Sequence, residues 1–246
     1  MALVYYFDVG NTRLKIWACD GDSLIAEAAI AHDGIPAAAL ASVGDAFARR
    51  PDAICGASVI GGDEALALAA QARWGLAPLL CRARQTQMGV VNAYGDAYAL
   101  LGIDRWLGLL AVHGYGDDRP ICIVDCGTAM TVDILLPDGR HVGGYILPGL
   151  DMMASALLAG TVGVRFTDPQ IDSLQPGLGT GQAVQHGVLL SAVALIDRLQ
   201  EQWGAGLVLT GGDAPRVLSH IMGPCRYEPT LLLQGMKRYF ADAGIC

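Results

Sequence analysis

Apolar and β-favouring residues run through 3–7 and 13–19, interrupted by the polar turn Gly10-Asn11-Thr12, and Asp20-Gly21 closes the second run. Short runs bounded by Gly, Asn and Asp predict a β-meander. The arrangement returns later in the chain: 121–124 predicts a strand, 126–129 a turn, 131–136 the returning strand and Asp138-Gly139 the next turn. Asp8 to Gly21 spans thirteen steps and Asp125 to Gly139 fourteen. Matching units half a chain apart predict a duplicated fold.

Between and after these units the period changes. Alanine-rich stretches at 36–50 and 63–75 predict helices, followed by short apolar strands at 53–59 and 77–81. Helical patterns recur at 104–113, 150–158, 182–203 and 231–243, with a short buried strand at 206–209. Residues 113–119, with two glycines and two aspartates, read as a linker. The expectation is an α/β protein of two domains, 1–115 and 119–246, each with strands and flanking helices.

Composition narrows the function classes. Of the 246 residues 53% are hydrophobic and 16% charged, which predicts extensive burial and, with it, a subunit interface. A net charge of −8 argues against a sequence-independent grip on nucleic acid, which needs Lys and Arg against phosphates. Seven cysteines without CxxC spacing suggest reduced thiols and neither a disulfide framework nor a zinc site. Cys122 and Cys126 read as buried side chains. No basic segment precedes an apolar core at the N-terminus, and the uncharged stretch 152–164 is shorter than the ~20 residues a membrane span needs. No membrane association is expected, and the expected location is the cytoplasm.

No GxxxxGK[ST] sequence occurs, and no GxGxxG opens a helix after a strand. Phosphate chemistry therefore needs another cradle. A strand ending in Asp, followed by a Gly-containing turn with amide or hydroxyl side chains, can supply one. The glycine allows close approach, successive N–H groups form an anion nest, and Asn11, Thr12 or Thr128 can donate further bonds. Asp8 and Asp125 would stand where cations meet phosphate oxygens, and Mg2+ suits sparse carboxylates completed by water and phosphate. The alternative is a pair of ordinary hairpin corners. Duplication in the same strand context favours nucleotide binding.

Asp104 precedes an apolar helical pattern and reads either as an N-cap or as a rigidly held carboxylate able to take a proton from a hydroxyl. Thr180 reads as an N-cap, Tyr94 as core packing and Arg105 as a solvated helix surface. The five histidines (32, 113, 141, 186, 220) show no metal-ligand spacing, and none is assigned a role.

The stretches DVGNTRLK (8–15), LGIDR (101–105), DCGTAMT (125–131), GGYILPG (143–149) and TGGD (210–213) together resemble type III pantothenate kinase, within the actin and sugar kinase superfamily. The resemblance covers nearly the whole chain in order. It implies two duplicated actin-like (ribonuclease H-like) domains with mixed sheets flanked by helices, in which paired hairpins hold ATP. It implies phosphorylation of pantothenate to 4'-phosphopantothenate, the first step of coenzyme A synthesis.

Carried over by residue, the resemblance makes Asp104 the catalytic base. It gives ATP the run Asp8, Val9, Gly10, Asn11, Thr12, Arg13, Leu14 and Lys15, with Thr128, Gly211 and Gly212. Pantothenate falls to Tyr94, Gly102, Ile103, Asp104 and Arg105, and to Thr180 from a neighbouring subunit of a homodimer. Asp125 is implied to bind a monovalent cation, K+ or NH4+, and Asp8 to serve Mg2+, directly or through water. GGYILPG is implied to pack near the active site and dimer interface. One departure is plain: the family commonly has a proline between the tyrosine and LG, where this chain reads Gly95-Asp96-Ala97-Tyr98-Ala99-Leu100. The rival expectations are another superfamily sugar kinase or phosphohydrolase, and a catalytically silent nucleotide-binding regulator.

Overall fold

The computed structural model describes residues 2–167, 172–242 and 244. Ala243, the expected end of the closing helix, and Cys246, one of the expected thiols, lie outside the described residues. The chain forms two compact units, Met1–Gly114 with Thr230–Cys246, and Tyr115–Pro229.

In the first unit, β1 (Leu3–Val9) is buried along its whole length, as an apolar run in the middle of a sheet must be. It pairs antiparallel with β2 (Arg13–Asp20), which pairs with β3 (Ser23–Ala31). After α1 (Pro36–Ala41), β4 (Ala53–Ser58) joins β1 in parallel; α2 (Asp63–Trp74) then leads to β5 (Leu79–Leu80), and the sheet order is β3-β2-β1-β4-β5. Leu3, Tyr5, Phe7 and Val9 share one face of β1 and pack with Leu14, Ile16 and the apolar sides of α1 and α2. Each such side chain contributes about 1.5–3 kcal/mol by leaving water. Tyr5 meets Phe47 and Trp74 edge-on, with centroids at 5.5 and 5.4 Å.

A small hairpin of β6 (Thr86–Gln87) and β7 (Val90–Val91) precedes α3 (Ile103–His113). The closing helix, Leu231–Asp242, packs on α3, and the two helices lie against β4 and β1. A division into two contiguous halves would leave this helix with residues 119–246. Its buried Leu232, Met236 and Phe240, and the close approach of Gly235 to the Leu107 carbonyl, put it with the first unit instead.

The second unit repeats the plan. β8 (Ile121–Cys126), β9 (Ala129–Leu135) and β10 (His141–Pro148) form the antiparallel meander, followed by α4 (Leu150–Gly160) and α5 (Thr180–Trp203). Then β11 (Gly206–Thr210) pairs in parallel with β8, α6 (Ala214–Leu218) follows, and β12 (Cys225–Tyr227) extends the sheet to the order β10-β9-β8-β11-β12. Strand for strand this is the first unit's order. The expected duplication is a fact of topology.

Local differences have local causes. The helix expected over 36–50 is short: α1 ends at Ala41, and past Gly44 only the 3₁₀ turn Asp45–Phe47 forms. The strand expected at 77–81 is reduced to Leu79–Leu80. The third strand of the meander, β3, SLIAEAAIA, was given no bounds from sequence, and its alanines and Glu27 favour helix. It is a largely exposed edge strand, fixed by pairing with β2. Among the described residues no helix is long and apolar enough to cross a membrane.

Candidate active site

Asp8, the last residue but one of β1, is a buried carboxylate in register with Lys15 on β2 and Ala57 on β4. The strand hands over to the turn through Gly10, whose N–H donates to the Arg13 carbonyl at 3.0 Å. Asn11, Thr12 and Arg13 are exposed, and Lys15 is half-buried. Val9 and Leu14 are fully buried in the core, so within the expected ATP-binding run they have only backbone to offer. Neighbours hold the turn's carbonyls: Val59 N–H donates to Val9 O at 3.0 Å and His32 N–H to Thr12 O at 3.2 Å. Because a trans peptide points its C=O and the next N–H in opposite directions, a held carbonyl aims the following donor away from the holder.

The second turn is built alike. Gly127 N–H donates to Ala129 O at 3.2 Å, Asp213 N–H to Cys126 O at 2.9 Å and Gly149 N–H to Thr128 O at 2.9 Å. Two glycines permit this. Gly149 lies so close to the Gly127 and Thr128 carbonyls that a Cβ there would collide with both. At Gly211, φ is +94° and a Cβ would stand 2.5 Å from the Asp125 carboxylate and the Cys126 carbonyl. Both reasons lie within the protein. Gly212 has open space around its Cβ position. Thr128 is exposed and Asp125, in register with Thr210 and Thr131, is half-buried.

Beside the second turn, the Arg216 guanidinium binds three carboxylates: Asp172 at 3.1 Å, Asp151 at 3.2 Å and Asp213 at 3.4 Å. Burial nonetheless holds the Asp213 carboxyl above its usual range. Arg216 thus ties the start of α4 to the residue that holds Cys126 O. Sequence reasoning passed over it, since a lone arginine on a short helix gives no spacing signal.

Asp8 and Asp125 are hard oxygen donors of the kind Mg2+ and K+ accept. Among the described residues no group of three or more His, Cys, Asp or Glu side chains could hold a metal ion. The residues fit cations that take their remaining ligands from water and phosphate.

The third group gathers at the start of α3. Asp104 is not the N-cap; Gly102 is, and it makes no side-chain cap bond. Asp104 stands one residue inside the helix, half-buried, and its Oδ1 accepts the Arg105 N–H at 2.8 Å. A Cβ on Gly102 would come within 2.5 Å of that oxygen, so the glycine leaves room for the carboxylate. Arg105 is buried, not solvated, and its Nη1 donates to the Tyr94 hydroxyl at 3.1 Å. Tyr94 is a partly exposed loop residue rather than core. Ile103 is buried beside them.

The loop that carries Tyr94 is organised by Asn92, also missed from sequence. Its buried amide donates to the carbonyls of Arg84 and Tyr98 at 3.2 and 3.3 Å and accepts the Tyr94 N–H at 3.0 Å. Residues 95–100, where the family's proline is lacking, form a 3₁₀ turn. Thr180 opens α5 in the second unit as an exposed residue; the N-cap is Gly179.

The family model for type III pantothenate kinase matches residues 4–202. The chain belongs to the type III pantothenate kinase family. A type III pantothenate kinase of Acinetobacter baylyi is 36% identical over 240 residues, covering 95% of this chain and 96% of the relative. Solved structures agree on the fold. A Baf family protein of Campylobacter jejuni superposes with TM-score 0.63 at 19% identity, covering 98% of this chain and 100% of that one. The ethanolamine utilization protein EutJ of Carboxydothermus hydrogenoformans gives TM-score 0.55 at 13% identity, covering 97% and 89%. The actin-like α/β architecture expected for the family is the one observed.

Proposed function

We propose that the protein transfers the γ-phosphoryl group of ATP to the primary hydroxyl of pantothenate, giving 4'-phosphopantothenate, the first step of coenzyme A synthesis. Besides membership of the family, one observation carries this reading: Asp104 is fixed by the Arg105 N–H while the Arg105 side chain reaches Tyr94. A carboxylate and a guanidinium one residue apart suit a substrate with a hydroxyl at one end and a carboxylate at the other.

Asp104 aligns the hydroxyl and accepts its proton. An aspartate is a weak base, but phosphoryl transfer through a loose transition state depends mainly on alignment and charge stabilisation. The planar fork of Arg105 binds the pantothenate carboxylate, with Tyr94, Gly102 and Ile103 shaping the pocket. Asp8 to Lys15 and Thr128 bind phosphate oxygens, and Gly211 and Gly212 adjoin the adenosine. Mg2+ served by Asp8 and K+ or NH4+ at Asp125 would neutralise phosphate charge when bound.

We further propose a cytoplasmic homodimer with Thr180 reaching pantothenate in the neighbouring subunit. In support, edge strand β10 and α4, in the unit that carries Thr180, expose the large apolar side chains Tyr145, Ile146, Met152 and Leu157. The test is ADP release by purified protein with ATP and pantothenate, with and without K+, beside a panel of sugars. Pantothenate-dependent turnover is expected; sugar-dependent turnover without response to pantothenate would overturn the reading, and sedimentation would test the dimer.

A further inference from the structure

The two phosphate turns differ by one residue, and the difference has a structural answer. Between strands the second turn holds Gly127 and Thr128, the first Gly10, Asn11 and Thr12. Backbone N–H groups hold equivalent carbonyls in both: Val59 and Asp213 on the last residue of the leading strand, His32 and Gly149 on the turn threonine. His32 and Gly149 each follow the third strand of their sheet. The longer turn has an additional peptide, and the imidazole of His32 meets it: Nε2 lies 2.9 Å from Gly10 O.

The tautomer follows from the other ring nitrogen. Gly34 N–H donates to Nδ1 at 3.1 Å, so Nδ1 is the acceptor and Nε2–H donates to Gly10 O. The backbone is bent to achieve this. Asp33 at φ 44° and Gly34 at φ +83° are consecutive left-handed residues, closed by Ile35 N–H on His32 O at 2.6 Å. His32 itself is 5% exposed.

We propose that His32 is a positioning residue for the first phosphate turn, its imidazole and its own N–H together holding the Gly10 and Thr12 carbonyls so that the Asn11 and Arg13 N–H groups face the nucleotide. The peptide planes make the direction of those donors a consequence of where the carbonyls are held. Preorganised donors of this kind bind phosphate without reordering the turn. The inference rests on the reading of residues 8–15 as an ATP-phosphate site.

Three substitutions separate this role from simple packing. His32→Gln keeps a donor near the Nε2 position, His32→Asn keeps an acceptor for Gly34 but cannot reach Gly10, and His32→Ala loses both. The expected result is a KM for ATP raised about tenfold in the Asn and Ala variants and nearly restored in Gln, with kcat and the KM for pantothenate little changed. Calorimetric binding of a non-hydrolysable ATP analogue should follow the same order. An unchanged ATP KM and analogue affinity in the Asn variant, or a Gln variant no better than Ala, would overturn the inference. If Ala does not fold, Asn against Gln still decides. Wild-type protein that binds the analogue yet phosphorylates no pantothenate would overturn the proposed activity alone, because the analogue series would still read the turn.

Discussion

The Arg105 guanidinium lies 5.9 Å from the centre of the Tyr94 ring and donates to its hydroxyl at 3.1 Å, so a helix residue and a loop residue eleven positions apart form one unit. Tyr94→Phe keeps the ring and removes the acceptor. The pantothenate KM is expected to rise by about 2–10-fold with the ATP KM unchanged, the scale of one lost hydrogen bond. Arg105→Lys, which cannot reproduce a planar fork, should cost more. Initial rates with each substrate varied at saturation of the other check both.

Asp104→Asn removes the proton acceptor while retaining the side chain's shape and its bond to the Arg105 N–H. The turnover number is expected to fall by about 10²–10⁴-fold, and binding of a non-hydrolysable ATP analogue to stay near wild type. Rapid-quench turnover beside calorimetry would show the separation. Equal loss of both would mean that Asp104 supports the fold instead of the chemistry.

Gly149→Ala places a methyl against the Gly127 and Thr128 carbonyls, which are backbone and cannot swing aside. Overpacking of this sort costs about 1–3 kcal/mol, and the second turn should deform as it does so. Thermal melts should show a clear fall, with weaker ATP binding. Gly212→Ala is the contrast, since open space surrounds its Cβ position. Its melting temperature should hardly move, and any loss of ATP affinity there reports close approach of the nucleotide.

Burial pushes the Cys122 and Cys126 thiols up to about 12 from 9.0. At pH 8 only about one in 10⁴ of either is thiolate, the reactive form, so both should resist maleimide in the native protein and label after denaturation. Mass spectrometry of digests would show it. The same shift sets a sign for stability. Below pH 9 both states keep the thiol protonated; above it the unfolded chain ionises and the folded one does not, so stability should decline as pH rises from about 9 towards 12.

The local structure of the candidate site, its turns and the start of α3, was legible because it is local. DVGNTRLK and DCGTAMT announce their turns through a glycine beside amide or hydroxyl residues at the end of an apolar run, and LGIDR starts a helix where the chain pattern says one should start. Side-chain partners were less accessible. Arg105 looked like a solvated surface residue and is buried; Tyr94 looked like core and is partly exposed. His32, Asn92 and Arg216 carried no motif, and their partners lie 22, 8 and up to 65 positions away.

The sequence by itself determined the repeated strand-turn-strand units, the α/β class and the chemical character of the turns, because hydrophobic period and turn residues act over a few positions. Only the tertiary structure decided that the closing helix joins the first unit, that alanine-rich β3 is a strand, and which groups hold each turn's carbonyls. Those outcomes depend on edge pairing, helix packing and hydrogen-bond direction between distant segments. A partner supplied by folding can override local propensity or leave it untouched, and the linear pattern holds no record of which.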